Sequence, residues 1–376
     1  MSKSKFVSVS FLLFVVAVTA ASSYACTSFR VKTKEGYVFY GRTLEGQSFA
    51  SSISVVPKGT EYVGTLPDGK QNGLKWTTKY GVVGMNAGGL PQLIDGINDQ
   101  GLAAGNLFFI EYAKYQPFDA QKAGKTIAQY EVITWILANF ATVAEVREGI
   151  KHIRVCHVVS DIAGDMPLHY TIHDSQGKSL VIEYVEGELK VYDNPIGVMT
   201  NSPALDWHLT NLRNYVNLTP NNANPITVEG IKASGFGQGT GMLGLPGDYT
   251  PPSRFVRIAA LVTSALPAKG YDEGLNLAMT ILNNIDIAKG TVRDLSGKTT
   301  EYDTTCWAVA VDLGQKKYYY RRYFNKDWRC VDVMKALDGA KGIMTISIDQ
   351  PPAYKDVTNT AKPYTLPKEV YPEGKP

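Results

Sequence analysis

A cysteine that begins a chain carries two reactive groups on one residue, and Cys26 is placed to become such a residue. Upstream of it, Met1–Phe6 is short and charged through Lys3 and Lys5, Phe11–Val18 is an apolar run, and Thr19–Ser23 are small residues. That order is the order of a secretory signal peptide, and the apolar run is too short to span a bilayer. Ser23-Tyr24-Ala25 places small residues three and one before a cut, which predicts cleavage between Ala25 and Cys26. The new terminus then joins a thiol to an α-amine whose pKa is roughly 7.7–8.0, so the amine accepts the thiol proton near neutral pH. A neighbouring Arg would favour the thiolate. Two other fates of the segment are a retained membrane anchor and a lipoprotein cut, although Ser23 stands where a lipoprotein usually has a large aliphatic residue.

Other combinations carry less chemistry. The later cysteines, Cys156, Cys306 and Cys330, read either as free thiols or as including a Cys306–Cys330 disulfide between neighbouring strands. No CxxC pair or zinc spacing occurs, and His169 and His173 share a strand face without a third ligand, so they read as ordinary strand residues. No metal or cofactor is expected. His157 beside Cys156 points to the opposite face of a strand. Gly239–Gly244 fits G-x-G-x-x-G by letter, but it runs into Leu245-Pro246-Gly247-Asp248 rather than a helix, and reads as a surface loop bordering Ser253-Arg254. Asn217-Leu218-Thr219 is a glycosylation sequon only in a eukaryotic secretory setting. Leu107, Phe108, Phe109, Tyr112 and Trp307 are candidates to line an apolar acyl pocket, each with core packing as its alternative role.

The elements that must position these residues follow from hydrophobic spacing. Thr27–Val31 and Tyr37–Tyr40 around Lys34-Glu35-Gly36 predict a hairpin, and further β-like runs are Ile53–Val56, Tyr80–Met85, Gln92–Ile97 and Leu102–Ile110. Thr126–Phe140 and Val143–His152 have helical spacing, with Thr142 as the cap between them. Strands resume at Leu168–Ile172, Leu180–Tyr184, Leu189–Tyr192 and Gly197–Met199. Helices are predicted at Leu205–Tyr215, Ser253–Leu266 and Asp272–Asn284, then strands at Cys306–Leu313, Lys317–Tyr323 and Trp328–Val331. Blocks of strands and helices, rather than strict alternation, predict antiparallel sheets with helices on their faces. The tail from Gln350 to Pro376 reads as an extended surface segment.

Composition agrees with a folded core. The 376 residues are 44% hydrophobic and 19% charged, which excludes a disordered or collagen-like chain. Removing Lys3 and Lys5 with the signal segment leaves 36 basic against 35 acidic residues, with no basic stripe, so nucleic acid is not an expected partner. No other segment reaches the length of a transmembrane helix.

Cys26-Thr27-Ser28-Phe29, followed by Gly41-Arg42-Thr43-Leu44, resembles the start of the choloylglycine hydrolase and penicillin V acylase family of N-terminal nucleophile hydrolases. The resemblance recurs at Asp95-Gly96-Ile97-Asn98-Asp99-Gln100-Gly101-Leu102, at Val198-Met199-Thr200-Asn201-Ser202-Pro203 and at Gly247–Arg257, covering nearly the whole chain from residue 26. It implies an α+β fold, an αββα sandwich of two antiparallel sheets between helix layers, and hydrolysis of a linear, non-peptide amide. It also implies Cys26 as nucleophile, Arg42 beside the thiol, Asn201 on the oxyanion side and Arg254 as a later active-site arginine. Without the resemblance, Arg42 reads as a salt-bridged strand residue and Asn201 as a helix N-cap. Asp95 matches a family acid that holds local loops.

Two positions depart from the family pattern. Glu45 stands where an Asp near the amine of the nucleophile is usual, and Phe108 stands where bile-salt hydrolases often carry an oxyanion Asn or Tyr, with Asn106 two positions earlier. The expectation is therefore a signal peptide over 1–25 and one catalytic domain over 26–376, exported to the periplasm or beyond from a bacterium. Its substrate would be a small-molecule amide: a conjugated bile salt, penicillin V or, as an alternative, an N-acyl homoserine lactone or other N-acyl amide. The family implies a homotetramer. A catalytically weakened exported binding protein of the same fold is the alternative from another class.

Overall fold

The computed structural model of the protein describes residues 25–46, 50–160, 162, 164–295 and 300–364. The expected signal segment up to Tyr24 and the tail beyond Tyr364 lie outside the described residues. The strands that matter for the site are β1 (Ala25–Lys32), β2 (Val38–Gly46), β3 (Ser52–Val56), β4 (Val82–Asn86), β5 (Leu93–Asn98), β6 (Ala103–Phe108) and β7 (Leu168–His173). They continue with β8 (Ser179–Val185), β9 (Glu188–Asp193), β10 (Val292–Asp294), β11 (Glu301–Asp312), β12 (Lys317–Arg322), β13 (Asn325–Asp332) and β14 (Met344–Ser347). The helices that pack on these sheets near the site are α1 (Val132–Asn139), α2 (Val143–Gly149), α3 (Leu205–Asn211), α4 (Pro251–Ser264) and α5 (Gly270–Asn283).

One sheet runs β1-β2-β11-β12-β13, with β10 added against β11; the other runs β9-β8-β7-β6-β5-β4-β3-β14. Neighbours within both sheets pair antiparallel. Strand periodicity explains the layering. On β2, every residue is buried: Val38, Tyr40 and Leu44 face the second sheet with Val83, Ile97 and Leu107, while Phe39 faces the helices with Phe255 and Ile281. The second sheet's outer face, through Tyr170, Ile172 and Ile182, packs on Ile133, Ile136 and Leu137 of α1. Three apolar layers thus separate helix, sheet, sheet and helix, the αββα sandwich that the resemblance implies.

Several boundaries differ from expectation for identifiable reasons. Thr126–Phe140 is not one helix: Thr126–Ala128 is a short strand parallel to Arg154–Cys156, and α1 starts only at Val132. Glu131 stops the helix from extending back, because its carboxylate accepts the N–H of Ala128 (2.8 Å) and both the N–H and hydroxyl of Thr65. Met199 makes a single bridge to Ser28 instead of a strand with Gly197 and Val198. A hairpin, Glu61–Thr65 with Gln71–Thr77, and β14 carry no alternation strong enough to announce them. All four cysteines are free thiols. A Cys306–Cys330 disulfide is ruled out by topology: Cys306 is on β11 and Cys330 on β13, with β12 hydrogen-bonded between them.

Candidate active site

The hairpin brings the first two candidate residues together. β1 pairs with β2 in a register that sets Cys26 opposite Leu44 and Ser28 opposite Arg42, so Cys26 and Arg42 lie diagonally on the face toward the second sheet. Arg42 Nη2 is 3.6 Å from Cys26 Sγ, and both side chains are buried. The other donors of Arg42 fix its fork: Nη1 donates to Asp95 Oδ2 at 2.6 Å and Nη2 to Asn106 O at 2.8 Å. Asp95 in turn accepts from the Tyr318 hydroxyl and, at 3.4 Å, from the Trp307 indole. Gly105 permits this approach, since a Cβ there would lie 2.4 Å from the Tyr40 hydroxyl and 3.3 Å from Arg42 Cδ.

Asn98 shapes the turn that feeds these residues into place. Its Oδ1 accepts from the N–H of Gln100 and Leu102, and its Nδ2 donates to the carbonyls of Leu137 and Phe140. Beyond the turn, β5 pairs with β6 only over Ala103–Gly105, so the next stretch of that β6 edge serves the site. Asn106 O takes Arg42, Phe108 O accepts from Asn201 Nδ2 at 2.9 Å, and the Phe108 backbone N–H bonds the Cys26 sulfur.

On the other side of Cys26, Asn201 Oδ1 accepts from Cys26 N at 2.8 Å and from Arg254 Nη2 at 2.7 Å. Arg254, from the first turn of α4, also donates to Cys26 O, to Thr27 Oγ1 (2.6 Å) and to Tyr249 O (2.9 Å). Glu45 lies opposite Ala25 in the hairpin and is fully buried. Burial pushes its carboxyl up to about 7, against the pull of Arg254. Burial lowers the Arg254 pKa, with Glu45 opposing. The Cys26 thiol is pushed up to about 11 by burial, which outweighs Arg42, Arg254 and the Phe108 N–H. A buried thiol of this kind needs a base within reach before it can attack.

Two cavities flank the cysteine. One, about 180 Å³, is apolar and lined by Cys26, Leu44, Ile94, Phe108, Met166 and Leu168 among others. The other, about 640 Å³, is more polar and has Ala25, Phe108, Asn201, Tyr249 and Arg254 in its wall. Phe108 borders both.

Cys26, Arg42, Asn201, Arg254, Glu45, Asp95 and Asn106 therefore form one cluster. Some differ from expectation in how they take part. Asn106 contributes its backbone carbonyl to Arg42, and Asn201 Nδ2 donates to Phe108 O. Trp307 lines neither cavity; it is buried on β11 against Asp95. Leu107 and Phe109 are core, and Tyr112 is partly exposed. Thr27 and Tyr318 were not singled out from sequence. Thr27 adjoins the cysteine, but nothing marks Tyr318 among 22 tyrosines. His157 bonds Asp165, away from Cys156. Among the described residues, no group of His, Cys, Asp and Glu is arranged to hold a metal.

Comparison with known proteins fits this geometry. The sequence profile of linear amide C-N hydrolases, choloylglycine hydrolase family, matches residues 26–345. The chain is 37% identical over 322 residues to a bile salt hydrolase/transferase of Clostridium perfringens, covering 84% of this chain and 94% of that protein. A penicillin V acylase of Pectobacterium atrosepticum is 27% identical over 368 residues, covering 90% of each. The solved structure of a cysteine-to-alanine variant of conjugated bile acid hydrolase from Clostridium perfringens superposes with a TM-score of 0.77 at 34% identity, over 88% of this chain and 99% of that one. The chain belongs to the choloylglycine hydrolase family and is a linear amide C-N hydrolase.

Proposed function

We propose that Cys26, freed by cleavage after Ala25, is the nucleophile, and that the enzyme hydrolyses conjugates of a bulky apolar acyl group with a small amine, conjugated bile acids foremost. The observation that carries this reading is the thiol's placement: it faces the apolar cavity, 3.6 Å from Arg42 Nη2, while its own nitrogen is held by Asn201 Oδ1 at 2.8 Å. The family profile beginning at residue 26 supports the cut site, and the 37% identical bile salt hydrolase/transferase supports the substrate class.

The reaction follows from the groups in place. The terminal amine of Cys26 takes the thiol proton, and Sγ attacks the amide carbonyl to form a tetrahedral oxyanion. The Phe108 N–H, beside the sulfur, is a donor available to that oxyanion, a contact type worth about 2.7–4 kcal/mol. The C–N bond breaks as the proton passes from the Cys26 ammonium to the departing amine, leaving an acyl thioester. Water, deprotonated by the same amine, attacks the thioester, releases the acid and returns the proton to sulfur. Arg42 lowers the energy of the thiolate, and Asn201 and Arg254 hold the residue's nitrogen and carbonyl. The basic, apolar, small-residue order before Ala25 supports export to the periplasm or beyond.

The test is intact mass analysis of the exported protein, then incubation of native and Cys26→Ser protein with a glycine-conjugated bile salt and with penicillin V. The reading expects a first residue of Cys26, release of glycine by the native protein and none by the variant. A first residue other than Cys26, or equal activity in both proteins, overturns it. Penicillin V is included because the penicillin V acylase relative aligns over 90% of the chain.

A further inference from the structure

Two buried histidines grip the loop that carries Asn201. His169, on β7, directs Nε2 at Thr200 O (2.9 Å), and His208, on α3, directs Nε2 at Asn201 O (2.9 Å). Two separate elements thus hold two consecutive carbonyls of one short segment. Each ring is stacked on a phenylalanine: His169 on Phe109 with centroids 4.4 Å apart at 10°, His208 on Phe255 at 4.6 Å and 9°. The stack sets the plane of the ring, and the carbonyl contact determines which nitrogen bears hydrogen.

The two rings differ in what their second nitrogen meets. Burial pushes the His208 pKa down to about 4, so near neutral pH the ring is uncharged with its hydrogen on Nε2, and Nδ1 makes no hydrogen bond. His169 differs. Its Nδ1 faces Glu183 Oε1 at 3.1 Å, an oxygen that already accepts the Leu205 N–H at 3.1 Å. Glu183 Oε1 thereby joins the His169 ring to the start of α3.

The rest of the segment is fixed in the same manner. Met199 exchanges backbone hydrogen bonds with Ser28 at 2.8 and 2.9 Å, and Ser202 Oγ donates to Ile110 O at 2.7 Å. With the backbone fixed, the Asn201 carboxamide can lie under the Cys26 nitrogen and against Arg254 without searching for that orientation. We propose that His169 and His208 are positioning residues for amide hydrolysis, holding the Thr200 and Asn201 carbonyls so that the Asn201 side chain fixes the Cys26 nitrogen beside its own thiol. The proposal rests on Cys26 being the nucleophile.

The test compares two substitutions of His208 in the mature enzyme with a glycine-conjugated bile salt as substrate. His208→Phe keeps a ring on Phe255 but has no donor, whereas His208→Gln keeps an N–H donor. The expected result is a kcat about tenfold or more lower for His208→Phe, with KM changed by less than about twofold, because misplacement acts on the reacting groups rather than on substrate binding. His208→Gln recovers most of kcat. Wild-type kcat in His208→Phe, or equal losses in both variants, overturns the proposal. If circular dichroism shows His208→Phe unfolded, His208→Leu serves as the donor-free variant and is read in the same way. Cys26→Ser assayed alongside separates the two claims: activity in that variant removes the nucleophile reading, whereas an inactive Cys26→Ser beside a fully active His208→Phe removes only the positioning role.

Discussion

The guanidinium of Arg42 spans the two sheets: Nη2 lies 3.6 Å from Cys26 Sγ, and Nη1 lies 2.6 Å from Asp95 Oδ2 in the facing sheet, with no part of either charged side chain exposed. The charge that stabilises a thiolate is therefore itself held by a buried carboxylate. The sulfur and the inter-sheet packing share one arginine.

Removing that arginine leaves Asp95 a buried charge without its cation. Arg42→Leu should destabilise the fold by about 3–5 kcal/mol, measured by urea unfolding. Adding Asp95→Asn should recover a large part of the loss, because the amide is neutral and its oxygen still accepts from Tyr318. Equal stability of the single and double variants would show that the buried charge is not the cause.

Gly105 tests how tightly the sheets meet at the site. A methyl group there would lie 2.4 Å from the Tyr40 hydroxyl and 3.3 Å from Arg42 Cδ. Gly105→Ala should lose roughly 1–3 kcal/mol of stability by overpacking and should lower kcat, because relief requires Tyr40 or Arg42 to move. A variant with wild-type melting temperature and kcat would contradict the close approach.

His173 predicts an acid sensitivity. Burial holds its pKa down to about 3, against 6.5 ordinarily, while its ring bonds Ser179 Oγ and Thr171 Oγ1. Between those values the unfolded chain binds the proton and the folded chain does not, so stability falls as pH drops below 6.5 and continues to fall toward 3. At pH 5 the loss from this one group is about 2 kcal/mol at one pKa unit per 1.36 kcal/mol. His173→Asn should show a flatter dependence of melting temperature on pH between 7 and 4 than the wild type. Parallel profiles would contradict the assignment.

Much of this was legible in the letters, and the rest failed for physical reasons. The β1–β2 hairpin is plain from alternation around Lys34-Glu35-Gly36, and the motifs carrying Cys26, Arg42, Asp95, Asn201 and Arg254 do converge. The partnership of Tyr318 with Asp95 is not readable, because it joins residues 223 apart through the packing of two sheets. Helix spacing over Thr126–Phe140 misled because a side chain, Glu131, ties down the backbone before the helix. The proposed Cys306–Cys330 bridge failed because strand order is not contained in strand pattern. The hydrogen bonds that Phe108 and Asn106 give the site come from their backbone groups, which any residue supplies, so residue type could not reveal them.

The central claim is that the thiol of a terminal Cys26 carries the acyl group. Mixing the purified enzyme with a glycine-conjugated bile salt, quenching in acid during turnover and analysing the peptides by mass spectrometry tests this directly. The predicted result is a peptide beginning Cys26-Thr27-Ser28 that carries the acyl mass and loses it on treatment with hydroxylamine. Turnover with the acyl mass on another residue, or by a chain whose first residue precedes Cys26, would contradict it.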